Sequence, residues 1–322
     1  MSGTSVLVLA GGPDAEREVS LASAGAITSA LQAAGYAARM QTIGTPTLDE
    51  LRAMEGEVVF PALHGRYGEG GPLQDLLVEL GRPFVGSGPR SARLAMDKIA
   101  TKAIALSMGI PTAPACVLEP KDNVCPLELP VVVKPIHEGS TIGLHVCRTV
   151  DQWRAAHNFA AGLGRPCMIE PFIAGREITV GLLGGIALPL IEIVPAEGLY
   201  DYEAKYTRND TRYIANPNLA PGLAERIASD AARLWAALGC RHVARADFLL
   251  DASGRHWLLE INTMPGFTDH SLVPMAAAAI PGAPMDMPAL CAALVEMARQ
   301  DAQHNDTSQG ATRWPETASA RA

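Results

Sequence analysis

The segment Arg245-Ala246-Asp247-Phe248-Leu249-Leu250-Asp251, then Ala252-Ser253-Gly254, then Trp257-Leu258-Leu259-Glu260-Ile261-Asn262-Thr263-Met264-Pro265-Gly266, sets Arg245, Asp247, Glu260 and Asn262 among apolar residues. Both runs alternate apolar and polar positions as strands do, and Asp251-Ala252-Ser253-Gly254 reads as a hairpin turn. Glu260 and Asn262 are two apart on one strand and therefore point to the same side. Asp247 is expected to face them from the partner strand. Such an all-oxygen set suits magnesium, which takes few protein oxygens and completes its shell with water and phosphate. The alternative is a salt-bridged strand pair in which Arg245 neutralises the acids, since structural ion pairs also gather charge in clefts.

Around this hairpin lie 322 residues, 48% of them hydrophobic, enough for a substantial core and two or three domains at roughly 100 to 200 residues each. The 26 basic and 34 acidic side chains leave a net charge of -8 with no long basic run, which argues against a nucleic-acid binder. Any anionic ligand must be met by local groups. The apolar run Val6 to Ala10 is too short for a signal or membrane segment and has no basic flank, so a cytoplasmic protein without membrane contact is expected. Cysteines 116, 125, 147, 167, 240 and 291 form no Cys-x-x-Cys pair and read as reduced thiols.

The first third alternates strand and helix: Val6 to Ala10, Ser20 to Ala34, Ala37 to Ile43, Leu48 to Met54, Val58 to Leu63 and Leu73 to Leu80. This is the rhythm of a parallel α/β layer. The pattern breaks at Gly86-Ser87-Gly88-Pro89, and Ala95-Met96-Asp97-Lys98 opens a helix to about Met108. Domains are therefore expected over 1–97, 98–176 and 177–300. The middle one reads as a small α/β layer. A helix near Leu223 to Leu238 precedes the hairpin, and another from about Asp286 to Gln300 closes the fold. Residues 301–322 are polar without apolar period and read as a disordered tail, its Trp314 incidental.

Lys134 ends the apolar strand Val131-Val132-Val133 and is delivered to the strand mouth, where ligands of open sheets collect, or as an edge lysine to solvent. The loop His137-Glu138-Gly139-Ser140-Thr141-Ile142-Gly143 offers glycines, hydroxyls and N–H groups to a phosphate. It is not a Walker A loop, and Gly11-Gly12 lacks the dinucleotide fingerprint. Glu170-Pro171-Phe172-Ile173 with Glu177 suits a purine edge and a ribose, or equally a hinge. His64 closes a buried strand ahead of Gly65-Arg66-Tyr67-Gly68-Glu69-Gly70-Gly71, a place for a structural histidine or an active site. Glu16-Arg17-Glu18-Val19-Ser20 follows the first glycine turn, and its charges suit a solvated helix start capped by Ser20 as well as a site.

Together these residues resemble the ATP-grasp superfamily, and within it the D-alanine:D-alanine ligases, over nearly all of residues 1 to 300. Met96-Asp97-Lys98, Tyr202-Glu203-Ala204-Lys205-Tyr206 and His270-Ser271-Leu272-Val273-Pro274 carry the likeness with the segments above. The resemblance implies an α/β (α+β) ATP-grasp fold: an N-terminal Rossmann-like parallel domain, the preATP-grasp unit, followed by two ATP-grasp subdomains. It places ATP between two antiparallel sheets, with Lys98 and Lys134 on its phosphates, Glu138, Gly139 and Ser140 in the loop over it, Glu170 and Ile173 at the adenine, and Glu177 at the ribose. Asp247, Glu260 and Asn262 would hold two magnesium ions, with manganese as a substitute.

The same likeness sets Glu16 on the first substrate's ammonium, His64 beside the second substrate, and Ser271, Leu272 and Lys205 on its carboxylate. Arg245 and the Gly266 backbone would meet the oxyanion of a tetrahedral intermediate. Tyr206 and Ser140, with Glu16, would latch a loop from about Gly198 to Asn209. The reaction implied is ATP-dependent joining of two D-alanine molecules through an acyl phosphate, by a homodimer.

Departures from the pattern are Asp14, Gly70, Pro171 and Ala244. None removes a group with a direct chemical role, and they leave room for a paralogue of a specialised antibiotic pathway. A D-serine or D-lactate acceptor is the near alternative, against which Lys205-Tyr206 argues. A nicotinamide-dependent dehydrogenase lacks its fingerprint here, and a non-catalytic nucleotide-binding regulator would have no need of the intact Arg245 and acids.

Overall fold

The computed structural model describes residues 3–309 apart from 120, 123, 197–199, 201–209 and 269, with side chains to 303. The expected parallel layer is present. β1 (Ser5–Gly11) lies between β2 (Ala37–Ile43) and β3 (Val58–Pro61), all parallel. Val6 through Ala10 are fully buried on both faces, as a parallel strand covered by helices requires. Helix α1 (Arg17–Ala33) covers one face through Ala24, Ile27 and Leu31, and α2 (Leu48–Ala53) is opened by a capping box of Thr47 and Glu50. Ser20 is not the cap expected: the helix already starts at Arg17, and the Ser20 hydroxyl donates to the Ala62 carbonyl while accepting from the Gly11 N–H. Short helices α3 (Gly65–Glu69) and α4 (Pro72–Leu80) follow β3.

The single helix expected from Ala95 is two. α5 (Pro89–Met96) stops at Asp97, whose carboxylate accepts from the Ile99 and Ala100 N–H groups and so opens α6 (Lys98–Ser107). The next unit, the small layer of strands and helix expected, is antiparallel throughout. β4 (Cys116–Leu118), β5 (Val131–Pro135), β6 (His145–Cys147) and β7 (Cys167–Pro171) run in the order β4-β7-β5-β6, backed by α7 (Val150–Gly162) through buried Trp153 and Ala156.

The largest sheet holds β8 (Gly175–Leu183), β9 (Ile186–Ala187), β10 (Ile191–Val194), β11 (Arg212–Ala215), β12 (Val243–Asp251) and β13 (His256–Asn262), in the order β11-β10-β8-β12-β13 with β9 beside β8. Helix α8 (Leu223–Leu238) lies behind it, turning Leu223, Ile227, Leu234 and Leu238 onto Ala244, Ala246 and Phe248. Each such fully buried side chain contributes about 1.5–3 kcal/mol. In the β12–β13 ladder Asp247 pairs with Glu260 and Arg245 with Asn262. A bulge between Asp247 and Phe248 leaves Leu259 out of the pairing.

Two helices complete the chain, α9 (Leu272–Ala278) and α10 (Met287–Gln309). The tail expected from residue 301 is thus helical to Gln309. Asp301 accepts from His242 at 3.0 Å and pairs with Arg241 at 3.5 Å, which anchors a polar stretch that has no apolar stripe of its own. Residues 310–322, Trp314 among them, lie outside the described residues. Among the described residues no helix is long and apolar enough to cross a membrane.

Candidate active site

The four-stranded and six-stranded sheets face one another across a cavity of about 520 Å³. Its apolar walls come from both sides, Val132, Leu144 and Phe172 on one and Ile193, Leu249 and Trp257 on the other. Ile173 lines it where the chain crosses from β7 to β8 and Glu177 lines it from the start of β8, so the segment read as either a purine site or a hinge is both a crossing and a wall.

Charged groups enter at one side. Lys134, at the end of β5, and Lys98, the first residue of α6, are both buried and both line the cavity. Lys98 Nζ donates to the Glu138 carbonyl at 2.7 Å and lies 3.1 Å from Glu260 Oε2, which bridges the small sheet's loop to the hairpin. Lys134 Nζ lies 2.6 Å from Glu170 Oε1, so it is not an edge lysine in solvent. Burial would raise the Glu170 carboxyl, but Lys134 and Lys102 outweigh it and hold the group below its ordinary range. The Glu138 carboxylate pairs with Arg165.

On the hairpin, Arg245 takes Asp247 in a two-pronged grip, Nε to Oδ1 at 2.9 Å and Nη2 to Oδ2 at 2.8 Å. Thr179 on β8 donates to the same Oδ1 at 2.5 Å. Burial disfavours the guanidinium charge, yet Asp247 and Glu260 more than offset it and hold Arg245 protonated. Asn262 Oδ1 accepts from the Met264 N–H at 2.9 Å. Asp247, Glu260 and Asn262 therefore share one face: alternation sets Glu260 with Asn262, and the bulge at Leu259 brings Asp247 opposite Glu260. Among the described residues no group of three or more His, Cys, Asp or Glu is arranged to hold a metal. The donor set here is two carboxylates and an amide, hard oxygens of the kind magnesium accepts with water and phosphate as remaining ligands.

A smaller pocket of about 70 Å³ opens on the far side of Arg245 and Glu260. Glu16 is buried there and accepts from the Ser140 hydroxyl. Gly139 passes so close that a Cβ would stand 3.0 Å from Glu16 Oε1, so this loop faces Glu16 through Gly139 and Ser140 and the large cavity through Glu138 and Thr141. His64 is buried, and burial pushes its imidazole down to about 4. Its Nδ1 lies 3.1 Å from the Met264 carbonyl, which can only accept, so Nδ1 carries the proton. Nε2 is left as an acceptor with no partner among the described residues. Ser271 stands just before α9 without a side-chain capping bond to it, and its hydroxyl accepts from the Thr268 N–H at 2.8 Å. Gly266 and Leu272 complete the wall.

Of the residues expected from the sequence, Lys205 and Tyr206, with most of the loop 198–209, lie outside the described residues. The others gather in these two adjoining spaces. The sequence reading did not single out Lys102, Glu69 or Thr179. Lys102 had a signal, since it follows Lys98 by four positions and so shares its helix face. Glu69 is buried near Glu16, and burial followed by the Glu16 charge pushes its carboxyl well up.

A cavity closed between two antiparallel sheets, with lysines from one side and hairpin acids from the other, is the architecture of the ATP-grasp enzymes. The family described as "D-ala D-ala ligase C-terminus" matches residues 108–296. A D-alanine–D-alanine ligase of Bordetella parapertussis is 46% identical over 299 residues, covering 90% of this chain and 94% of the relative. One from Cupriavidus necator is 44% identical over 281 residues, 85% of this chain and 86% of the relative. The structure of the D-alanine–D-alanine ligase from Coxiella burnetii matches with a TM-score of 0.83 at 25% identity, over 97% of this chain and 98% of that one. That of the Bacillus anthracis ligase complexed with ATP matches with a TM-score of 0.79 at 27% identity, over 94% and 100%. The chain belongs to the D-alanine–D-alanine ligase family.

Proposed function

We propose that the protein joins two D-alanine molecules into D-alanyl-D-alanine at the expense of ATP, in the cytoplasm and for peptidoglycan precursor synthesis. The observation that carries this reading is the pairing of Asp247 with Glu260 beneath Arg245, on the wall between the large cavity and the small pocket. ATP occupies the large cavity, its adenine among the apolar walls near Glu170 and Ile173, its ribose at Glu177 and its phosphates at Lys98 and Lys134, under the loop of Glu138.

Asp247, Glu260 and Asn262 would hold two magnesium ions, or manganese, which supply charge neutralisation for the moving phosphoryl group. In the small pocket Glu16 pairs with the ammonium of the first D-alanine. Its carboxylate oxygen bonds to the γ-phosphorus as the bond to the β-phosphate oxygen breaks, giving an acyl phosphate and ADP. His64 Nε2 receives a hydrogen bond from the second D-alanine, whose carboxylate sits at Ser271, Leu272 and the start of α9, with Lys205. The deprotonated amine of that second molecule attacks the acyl carbon. Arg245 and the Gly266 N–H stabilise the oxyanion, and phosphate leaves. Tyr206 closes the latch of Ser140 and Glu16 and keeps water from the acyl phosphate. A homodimer belongs to the same reading.

The test is magnesium-dependent phosphate release from ATP with D-alanine, L-alanine, D-alanine plus D-serine, and D-alanine plus D-lactate, with products identified by mass. Release with D-alanine alone and a D-alanyl-D-alanine product is expected. Release only with a mixed pair reassigns the acceptor, and no release in any mixture overturns the reading. Sedimentation of the pure protein checks the dimer.

A further inference from the structure

Behind the large cavity lies a third lysine, which does not line it. Lys102 is one turn beyond Lys98 on α6 and is buried. Its Nζ lies 2.6 Å from Glu170 Oε2, and it donates to Thr112 Oγ1 at 2.8 Å and to the Ala113 carbonyl at 3.2 Å. The contact with Glu170 is one of charge, since Glu170 Oε2 has no hydrogen-bond partner among the described residues. The Thr112 hydroxyl passes its own proton on to the Leu258 carbonyl at 2.8 Å, which fixes the arrangement to β13. Glu170 therefore has one oxygen on each of two lysines, Lys102 behind and Lys134 in front.

The two lysines are not equivalent. Lys134 faces the cavity and can follow a phosphate, whereas Lys102 is walled in and cannot. With Lys102 as the fixed counter-charge of Glu170, that pair is neutral and the charge of Lys134 stays available to an anion. Without it, buried Glu170 either takes Lys134 as its sole partner or binds a proton. Both outcomes damage nucleotide recognition. The first withdraws a cation from the phosphates. The second turns an acceptor, suited to the 6-amino group of adenine, into a donor suited to the 6-oxo group of guanine.

We infer that Lys102 is a positioning and specificity-determining residue for the purine nucleotide, acting through Glu170 and by freeing Lys134. This rests on the reading of the large cavity as the ATP site. The experiment uses the full-length K102M protein with ATP and GTP. The KM for ATP is expected to rise about tenfold or more, while kcat and the KM for D-alanine change by less than about twofold. The preference for ATP over GTP is expected to narrow, K102R to restore part of both effects, and K102M to add little in an E170Q background. If K102M does not fold, T112V, which removes one acceptor of Lys102, is expected to show the same shift on a smaller scale. An unchanged KM for ATP and unchanged purine preference in whichever variant folds overturns the inference. Failure of the wild-type protein to bind ATP in a direct titration overturns the underlying site reading instead.

Discussion

The Ser140 hydroxyl donates to the Glu16 carboxylate, joining the loop after β5 to the first glycine turn of the N-terminal layer. Ser140 holds a left-handed backbone, φ 51°, to make this contact. S140A removes a hydrogen bond to a buried carboxylate, so kcat/KM for D-alanine is expected to fall by about tenfold to a hundredfold. Steady-state kinetics at saturating ATP check this.

Removing the Glu260 side chain should be more severe. The carboxylate pairs with Lys98 and shares its face with Asp247, so under the proposed metal assignment E260A loses a ligand, and it leaves a lysine partly uncompensated. Turnover is expected to drop by at least about a hundredfold. Phosphate release by the purified variant measures it, and full retained activity would contradict the metal assignment. Chelation should likewise stop the wild-type enzyme, with magnesium or manganese restoring it.

His64 gives a pH dependence of stability with a definite sign. Its folded imidazole titrates at about 4 against 6.5 for an ordinary histidine, because burial outweighs the bond to Met264. The folded state binds a proton less readily than the unfolded one. Stability is therefore fully present above pH 6.5 and is lost as pH falls from there toward 4, by a total of about 3 kcal/mol. Denaturant unfolding at intervals across that range should show the slope, and H64N, which cannot titrate, should flatten it.

Gly266 leaves little room for a methyl group. A Cβ there would stand 3.0 Å from the Ser271 hydroxyl, itself held by the Thr268 N–H. G266A is expected to fold normally while weakening the second D-alanine site by severalfold or more, since small misplacements in a positioned site are costly. Thermal unfolding and the KM for the acceptor amino acid separate the two effects.

Much of this was legible because strands have a period of two. Glu260 and Asn262 had to share a side, and alternation in Arg245 to Asp251 set Arg245 and Asp247 on one side as well; that the two sides coincide depends on the bulge, which no period announces. The parallel N-terminal layer was legible from apolar runs such as Val6 to Ala10. Other features were not. Asp97 divides two helices by a cap whose geometry no apolar period announces. Asp301 belongs to a helix because of His242, a partner far away along the chain. Lys102 shares a face with Lys98, but its purpose depends on Glu170, on another sheet. The pairing of Glu16 with Ser140 followed from likeness to a family, since their charges and hydroxyls alone suited a helix start and a phosphate loop.

The bulge at Leu259 governs what β13 can be. Before it, His256 and Leu258 turn with Leu250 and Phe248 toward the core; after it, Glu260 and Asn262 turn with Asp247 and Arg245 toward the cavities. Had the ladder run straight, Leu259 would sit opposite Asp247, and Glu260 would be driven against Ala246, which has no exposed surface. Drawing Leu259 into the ladder would therefore silence the site with every acid still in the sequence. A tally of matching residues would score that chain as intact.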